Sequence, residues 1–144
     1  MLGSIRPESA SLLPGVFKER ADINRAYLME LDNKSLLQNF YLEAAIRDDR
    51  GLEEMHLGWE SPACQLRGHF LGHWMSAAAM LSAQNNDREL KAKLEVIIDE
   101  LERCQKLNGG EWIGSIPEKY FDKLAADEYV WSPQYTLHKT LLAL

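Results

Sequence analysis

Residues Ser61–Ala83 read SPACQLRGHFLGHWMSAAAMLSA. Ser61 can cap the free N–H groups that open a helix, and Pro62 suits the first helical position, where its missing N–H has no partner to lose. From there Leu66, Phe70, Leu71, Trp74, Met75, Ala77, Ala78, Ala79, Met80 and Leu81 surround the axis almost completely. A helix apolar on all sides belongs inside a larger assembly. The pattern predicts an internal helix from Ser61 to about Ala83.

Downstream, Asn86 with Glu89 three residues later offers a capping box, and Leu90, Leu94, Ile97, Ile98, Leu101 and Cys104 recur at helical spacing. The opposite face (Asp87, Lys91, Lys93, Glu95, Asp99, Glu102, Arg103) is charged and is expected in solvent, and Asn108–Gly109–Gly110 ends the helix. An inner helix is thus followed by an outer one. Upstream, Ile23, Ala26, Tyr27, Met29 and Leu31, then Leu36, Leu37, Phe40, Leu42 and Ala45, keep the helical period from Lys18 on either side of a break near Asp32–Lys34. Residues 1–17 mix Pro, Ser and Gly without a period and read as a lead-in, while Asp48–Glu60 reads as a charged connecting loop.

Past the aromatic loop EWIGSIPEKYF, Ser132–Pro133 repeats the Ser–Pro start 71 residues after Ser61–Pro62. The two openings, WESPACQLRGHFLGHW and VWSPQYTLHKTLLAL, share Trp, Ser, Pro and a downstream His. Repeated hairpins of one inner and one outer helix build an α/α toroid. The fold expected is all-α, residues 18–144 forming part of such a toroid. The chain stops on TLLAL, about twelve residues into the last helix and without a stop signal, so it reads as the N-terminal fragment of a larger helical domain, cut after about two hairpins.

The 144 residues, 46% of them hydrophobic and four of them Trp, suffice for one domain and one core. With net charge −6 and Lys and Arg scattered singly, no basic stripe exists to bind nucleic acid. The longest uncharged apolar run, Trp74–Ala83, is about half of the roughly 20 residues that cross a bilayer. With no membrane span and no secretory signal legible, the expectation is a cytoplasmic protein. Bare inner faces are expected to self-associate. Cys64 and Cys104 share no C-x-x-C spacing and are expected to be small core residues.

Four His are present, and His56 falls in the charged loop. His69 and His73, four apart, share one helical face with Arg67 on the neighbouring turn. That is the spacing of zinc-protease helices, but the Glu such a motif needs beside its first His is here Phe70, so no metal site is assigned. Arg67, His69, His73 and Ser76 are costly on an apolar helix unless they line a wet pocket, and Tyr135 and His138 repeat the logic on the second inner helix. Trp74 and Trp131 offer faces for a sugar ring. The plainer alternative makes all of these hydrogen-bonded or apolar core residues. Glu53–Glu54 and Asp48–Asp49 are adjacent in a loop and point in different directions, which does not make an acid/base pair. Nucleophile-elbow and phosphate-loop motifs are missing from the sequence.

RGHFLGHW (Arg67–Trp74) followed by SAAAM, and VWSPQYTLHK (Val130–Lys139), resemble the β-L-arabinofuranosidase glycoside hydrolases. LPGVFKERADINRAYLMELD, LLQNFYLEAAI and CQKLNGGEWIGSIPE agree, in order, over almost the whole chain. The resemblance implies an (α/α)6 barrel that removes L-arabinofuranose or related sugars from plant glycans. It implies retaining hydrolysis by a Cys nucleophile held beside zinc by Cys and Glu ligands, with a Glu as acid/base. Those residues belong to a part of the family's chain beyond Leu144, so no catalytic residue, metal ligand or cofactor is carried onto this stretch, and zinc is implied only for the full-length enzyme. Arg67, His69, His73 and His138 are expected to face the barrel centre. The competing readings are a non-catalytic helical module binding carbohydrate or protein, and a structural α-solenoid.

Overall fold

The computed structural model describes residues 10–144, so residues 1–9, over half of the lead-in, lie outside the described residues. Six α-helices and no strand occur among them: α1 (Val16–Glu30), α2 (Asn33–Glu43), α3 (His69–Asn85), α4 (Arg88–Leu107), α5 (Lys119–Ala125) and α6 (Pro133–Ala143). The chain is all-α, as its periodicity predicts. α3 is the hub: it packs most extensively on α6 and next on α4, while α2 lies on α4 and α1 crosses both α3 and α4. Leu28, Leu36, Leu37 and Phe40 meet Leu71, Trp74, Met75 and Ala78 of α3 and Leu90, Ile97, Leu101 and Cys104 of α4 in one core. An inner α3 flanked by a second inner helix, α6, with α4 outside it, forms an arc of the expected toroid. α3 is nevertheless not enclosed on every side, for His73 and Met80 are exposed along its third face.

The break between α1 and α2 comes from Asp32, whose carboxylate accepts the Ser35 N–H at 2.9 Å and the Ser35 hydroxyl at 3.1 Å. Two charged residues expected in solvent instead join elements. Lys93 turns inward, its ammonium donating to the carbonyls of Met29 and Leu31 and lying 5.6 Å over the Trp74 ring. The last carbonyls of a helix have no partners of their own, and a lysine from α4 supplies them for α1. Asp87, rather than Asn86, caps α4 by accepting the Leu90 N–H at 3.1 Å, and it pairs with Arg25 of α1. Asn86 sits at φ 51° as the C-cap of α3, a left-handed position that Asn tolerates well. Replacing Asp87 with Ala is expected to cost about 1–2 kcal/mol through the lost cap, read as a lower urea midpoint at constant slope; an unchanged midpoint would show that the cap is dispensable.

The helix expected from Ser61 begins eight residues later, at His69. Ser61–Gly68 instead forms successive turns, with Cys64 N–H donating to Ser61 O and Arg67 N–H to Cys64 O. Gly68, at φ 86°, turns the chain into α3, and the Arg67 guanidinium donates back to Pro62 O at 2.6 Å, holding the segment folded on itself. Cys64 is accordingly half-buried, whereas Cys104 is in the core with its thiol pushed up to about 11 by burial. The second Ser–Pro start does open a helix, although Ser132 caps it with no side-chain bond. α5 begins in the last three residues of the EWIGSIPEKYF stretch read as loop and runs past it to Ala125.

Candidate functional site

α2 carries Gln38 and Asn39 between the core residues Leu37 and Phe40, and both polar side chains are buried. The Gln38 amide donates to the carbonyls of His56 and Glu60 at 2.8 and 2.9 Å and accepts the His56 N–H at 2.8 Å. The Asn39 amide donates to Glu60 O at 2.9 Å and to Glu60 Oε2 at 3.0 Å. These bonds tie the loop before Ser61 to the core and deliver the Glu60 carboxylate to the start of α3. There it accepts the Gly68 N–H at 2.6 Å and the Phe70 N–H at 3.0 Å, where the helix dipole favours negative charge.

Next to this carboxylate lies a cluster of rings. His69 Nδ1 is 2.8 Å from Glu60 Oε1 and 3.1 Å from Leu66 O. The His69 ring is 6.0 Å from those of His73 and Tyr135 and 6.2 Å from that of Trp59, and Trp59 meets Trp131 edge to face at 6.4 Å. Tyr135 OH lies 3.0 Å from His73 Nε2, and the Lys139 ammonium sits 5.0 Å over the Tyr135 ring. From His73 a groove of about 320 Å³ continues along Ser76, Met80, Lys139 and Leu142 between α3 and α6. The two helices can approach this closely because residue 72 is Gly: a Cβ there would lie 2.3 Å from the Lys139 carbonyl oxygen.

Desolvation, with help from the nearby Lys139 and His69, lowers the His73 pKa below its ordinary 6.5. The ring is therefore neutral at pH 7, and the Tyr135 hydroxyl can donate to it. The unfolded chain takes up this proton first as pH falls below 6.5, so the stabilisation is complete above that value and is lost on acidification towards the folded-state pKa. Urea midpoints at pH 7.5 and 5.5 should differ more for the wild type than for His73→Asn; equal differences would exclude the coupling.

Of the residues singled out in the sequence, His69, His73, Tyr135 and Trp131 come together. His138 is exposed on α6, three residues beyond Tyr135. Arg67 and Trp74 lie behind the wall. Arg67 is 8% exposed and donates to Ser115 O, Pro62 O and Glu43, and Trp74 is 2% exposed with its Nε1–H donated to Leu28 O. Trp59, Glu60 and Lys139 were not anticipated. The signal for Trp59 was present, since each Ser–Pro pair has a Trp just ahead of it.

The whole of this architecture falls within residues 9–144, which match the family model described as the β-L-arabinofuranosidase, GH127 catalytic domain. The chain belongs to this family. No curated protein and no solved structure matches it. Membership in this glycoside hydrolase family agrees with the helical arc, because GH127 catalytic domains are (α/α)6 barrels. Among the described residues no three His, Cys, Asp or Glu side chains gather as a metal site. No described helix is long and apolar enough to cross a membrane.

Proposed function

We propose that this chain forms one wall of the sugar pocket of a glycoside hydrolase acting on L-arabinofuranosides or related plant-glycan sugars, and that it binds sugar without cleaving it. The observation that carries this reading is the ring cluster on α3, α6 and the Trp59 loop. Two imidazoles and a phenol supply donors and acceptors, and two indoles supply apolar faces, the combination a sugar ring requires. In this reading His69, His73, Tyr135 and Trp131 touch the sugar and His138 flanks it, while Arg67 and Trp74 support the wall from behind. Glu60, the carboxylate within the cluster, is committed to donors of the chain. That engagement leaves no acid/base pair at the rings, and it also favours the second reading, a binding module without chemistry. The unpaired Cys64 and Cys104 thiols suit a reducing compartment such as the cytoplasm.

Hydrolysis of p-nitrophenyl β-L-arabinofuranoside decides between the readings, tested with this chain and with the longest product of its gene, with and without zinc and reductant. Turnover only by the longer product is expected. Turnover by the 144-residue chain would refute the non-cleaving assignment, and silence from both would refute β-L-arabinofuranosides as the substrate and leave the related sugars.

A further inference from the structure

We propose that Glu60 is a positioning residue that fixes the His69 ring with its proton on Nδ1, leaving Nε2 as a hydrogen-bond acceptor for a sugar hydroxyl. This rests on the reading of the ring cluster as a sugar-contacting surface. Both atoms near Nδ1, Glu60 Oε1 at 2.8 Å and Leu66 O at 3.1 Å, can only accept, so a lone pair on Nδ1 would face two other lone pairs. The proton is therefore held on Nδ1. Nε2 takes no hydrogen bond from the described residues and is not among their buried unpaired atoms. It is the free nitrogen of the pair.

Glu60 is the stronger of the two anchors. The Leu66 carbonyl is longer-range, uncharged and shared with the Thr136 hydroxyl at 3.3 Å. The carboxylate is itself immobilised, receiving Gly68 N–H and Asn39 Nδ2–H on one oxygen and Phe70 N–H and His69 Nδ1–H on the other. A carboxylate so occupied cannot rotate away, nor can it move a proton for a substrate without giving up its bonds to the start of α3. Its task is to orient. The same pattern, a carboxylate behind an imidazole choosing which nitrogen faces outward, sets ring tautomers wherever His must present one defined nitrogen.

The test is the ring ¹⁵N spectrum of histidine-labelled chain above pH 8, where free imidazole is neutral. The wild type should show His69 protonated at Nδ1 and bare at Nε2; a proton on Nε2 overturns the proposal without any variant having to fold. In Glu60→Met the ratio of the two tautomers should fall about tenfold or more, the loss of one charge-assisted hydrogen bond. An unchanged ratio in a folded variant assigns the tautomer to Leu66 and overturns the role of Glu60. Methyl β-L-arabinofuranoside added to the wild type should shift the His69 Nε2 resonance. With the tautomer results as expected, an unmoved Nε2 resonance refutes the sugar-binding reading and leaves the positioning role standing.

Discussion

Gly72→Ala is expected to lift α6 away from α3 and to take the ring cluster apart. The added Cβ would lie 2.3 Å from the Lys139 carbonyl oxygen, 2.5 Å from its carbon and 3.0 Å from its Cβ. The first two are backbone atoms of α6, so no rotamer change relieves the clash and the helix itself must move. α6 buries Pro133, Thr136 and Thr140, and Thr136 holds Leu66 O at 3.3 Å through its hydroxyl. Displacement exposes this seam and lengthens the 3.0 Å contact between Tyr135 and His73. The cost should reach about 3 kcal/mol, the upper end for overpacking, because backbone rather than side chain is in the way. Urea unfolding gives the size, and faster tryptic cleavage after Lys139 gives the location. A variant with the wild-type midpoint and cleavage rate would show that α6 is not displaced.

Arg67→Met should destabilise the chain by a similar amount, about 3 kcal/mol, for a different reason. The guanidinium ties three separate segments: it donates to Glu43 at the end of α2 at 3.0 Å, to Pro62 O at 2.6 Å and to Ser115 O at 3.0 Å. Methionine fills the volume but leaves two carbonyls without donors and Glu43 without its cation. The Glu43 side chain keeps 19% of its exposure, so water recovers part of the loss and the effect falls at the low end for a broken buried ion pair. Arg67→Lys is the sharper test. An ammonium on a flexible stem cannot reach three acceptors in three directions, so restoring the charge should recover only a minor part. A Lys variant as stable as the wild type would mean that charge alone matters there.

The division between what was legible in the sequence and what was not follows how local each determinant is. The Asp32 break, the α4 stripe and the second Ser–Pro start depend on neighbours within a turn, and the sequence displays them. The Ser61 start fails because Arg67 and Gly68 commit the segment to turns, one through bonds to Ser115 and Glu43 and the other through its φ of 86°. Lys93 looks like a solvent-face residue until the open end of α1 is known to lie beside it. In the site, the spacing of His69 and His73 placed both on one face, and the Trp–Ser–Pro repeat matched Trp131. Trp59 shares that repeat, whereas Glu60 looked like loop because its anchors, Gln38 and Asn39, are about twenty residues away in sequence and act only after folding.

Those two amides have a wider effect. They lie side by side on α2 between Leu37 and Phe40, which are 0% and 1% exposed, so one turn of helix belongs to the hydrophobic interior and to the scaffold of the rings at once. Opening the loop that carries Trp59 and Glu60 therefore strips two buried amides of their partners. Its protected amides should exchange with solvent only when the whole molecule opens, unlike a typical mobile binding loop. A substitution that changes how α2 seats against α4 is then also a change in where His69 points.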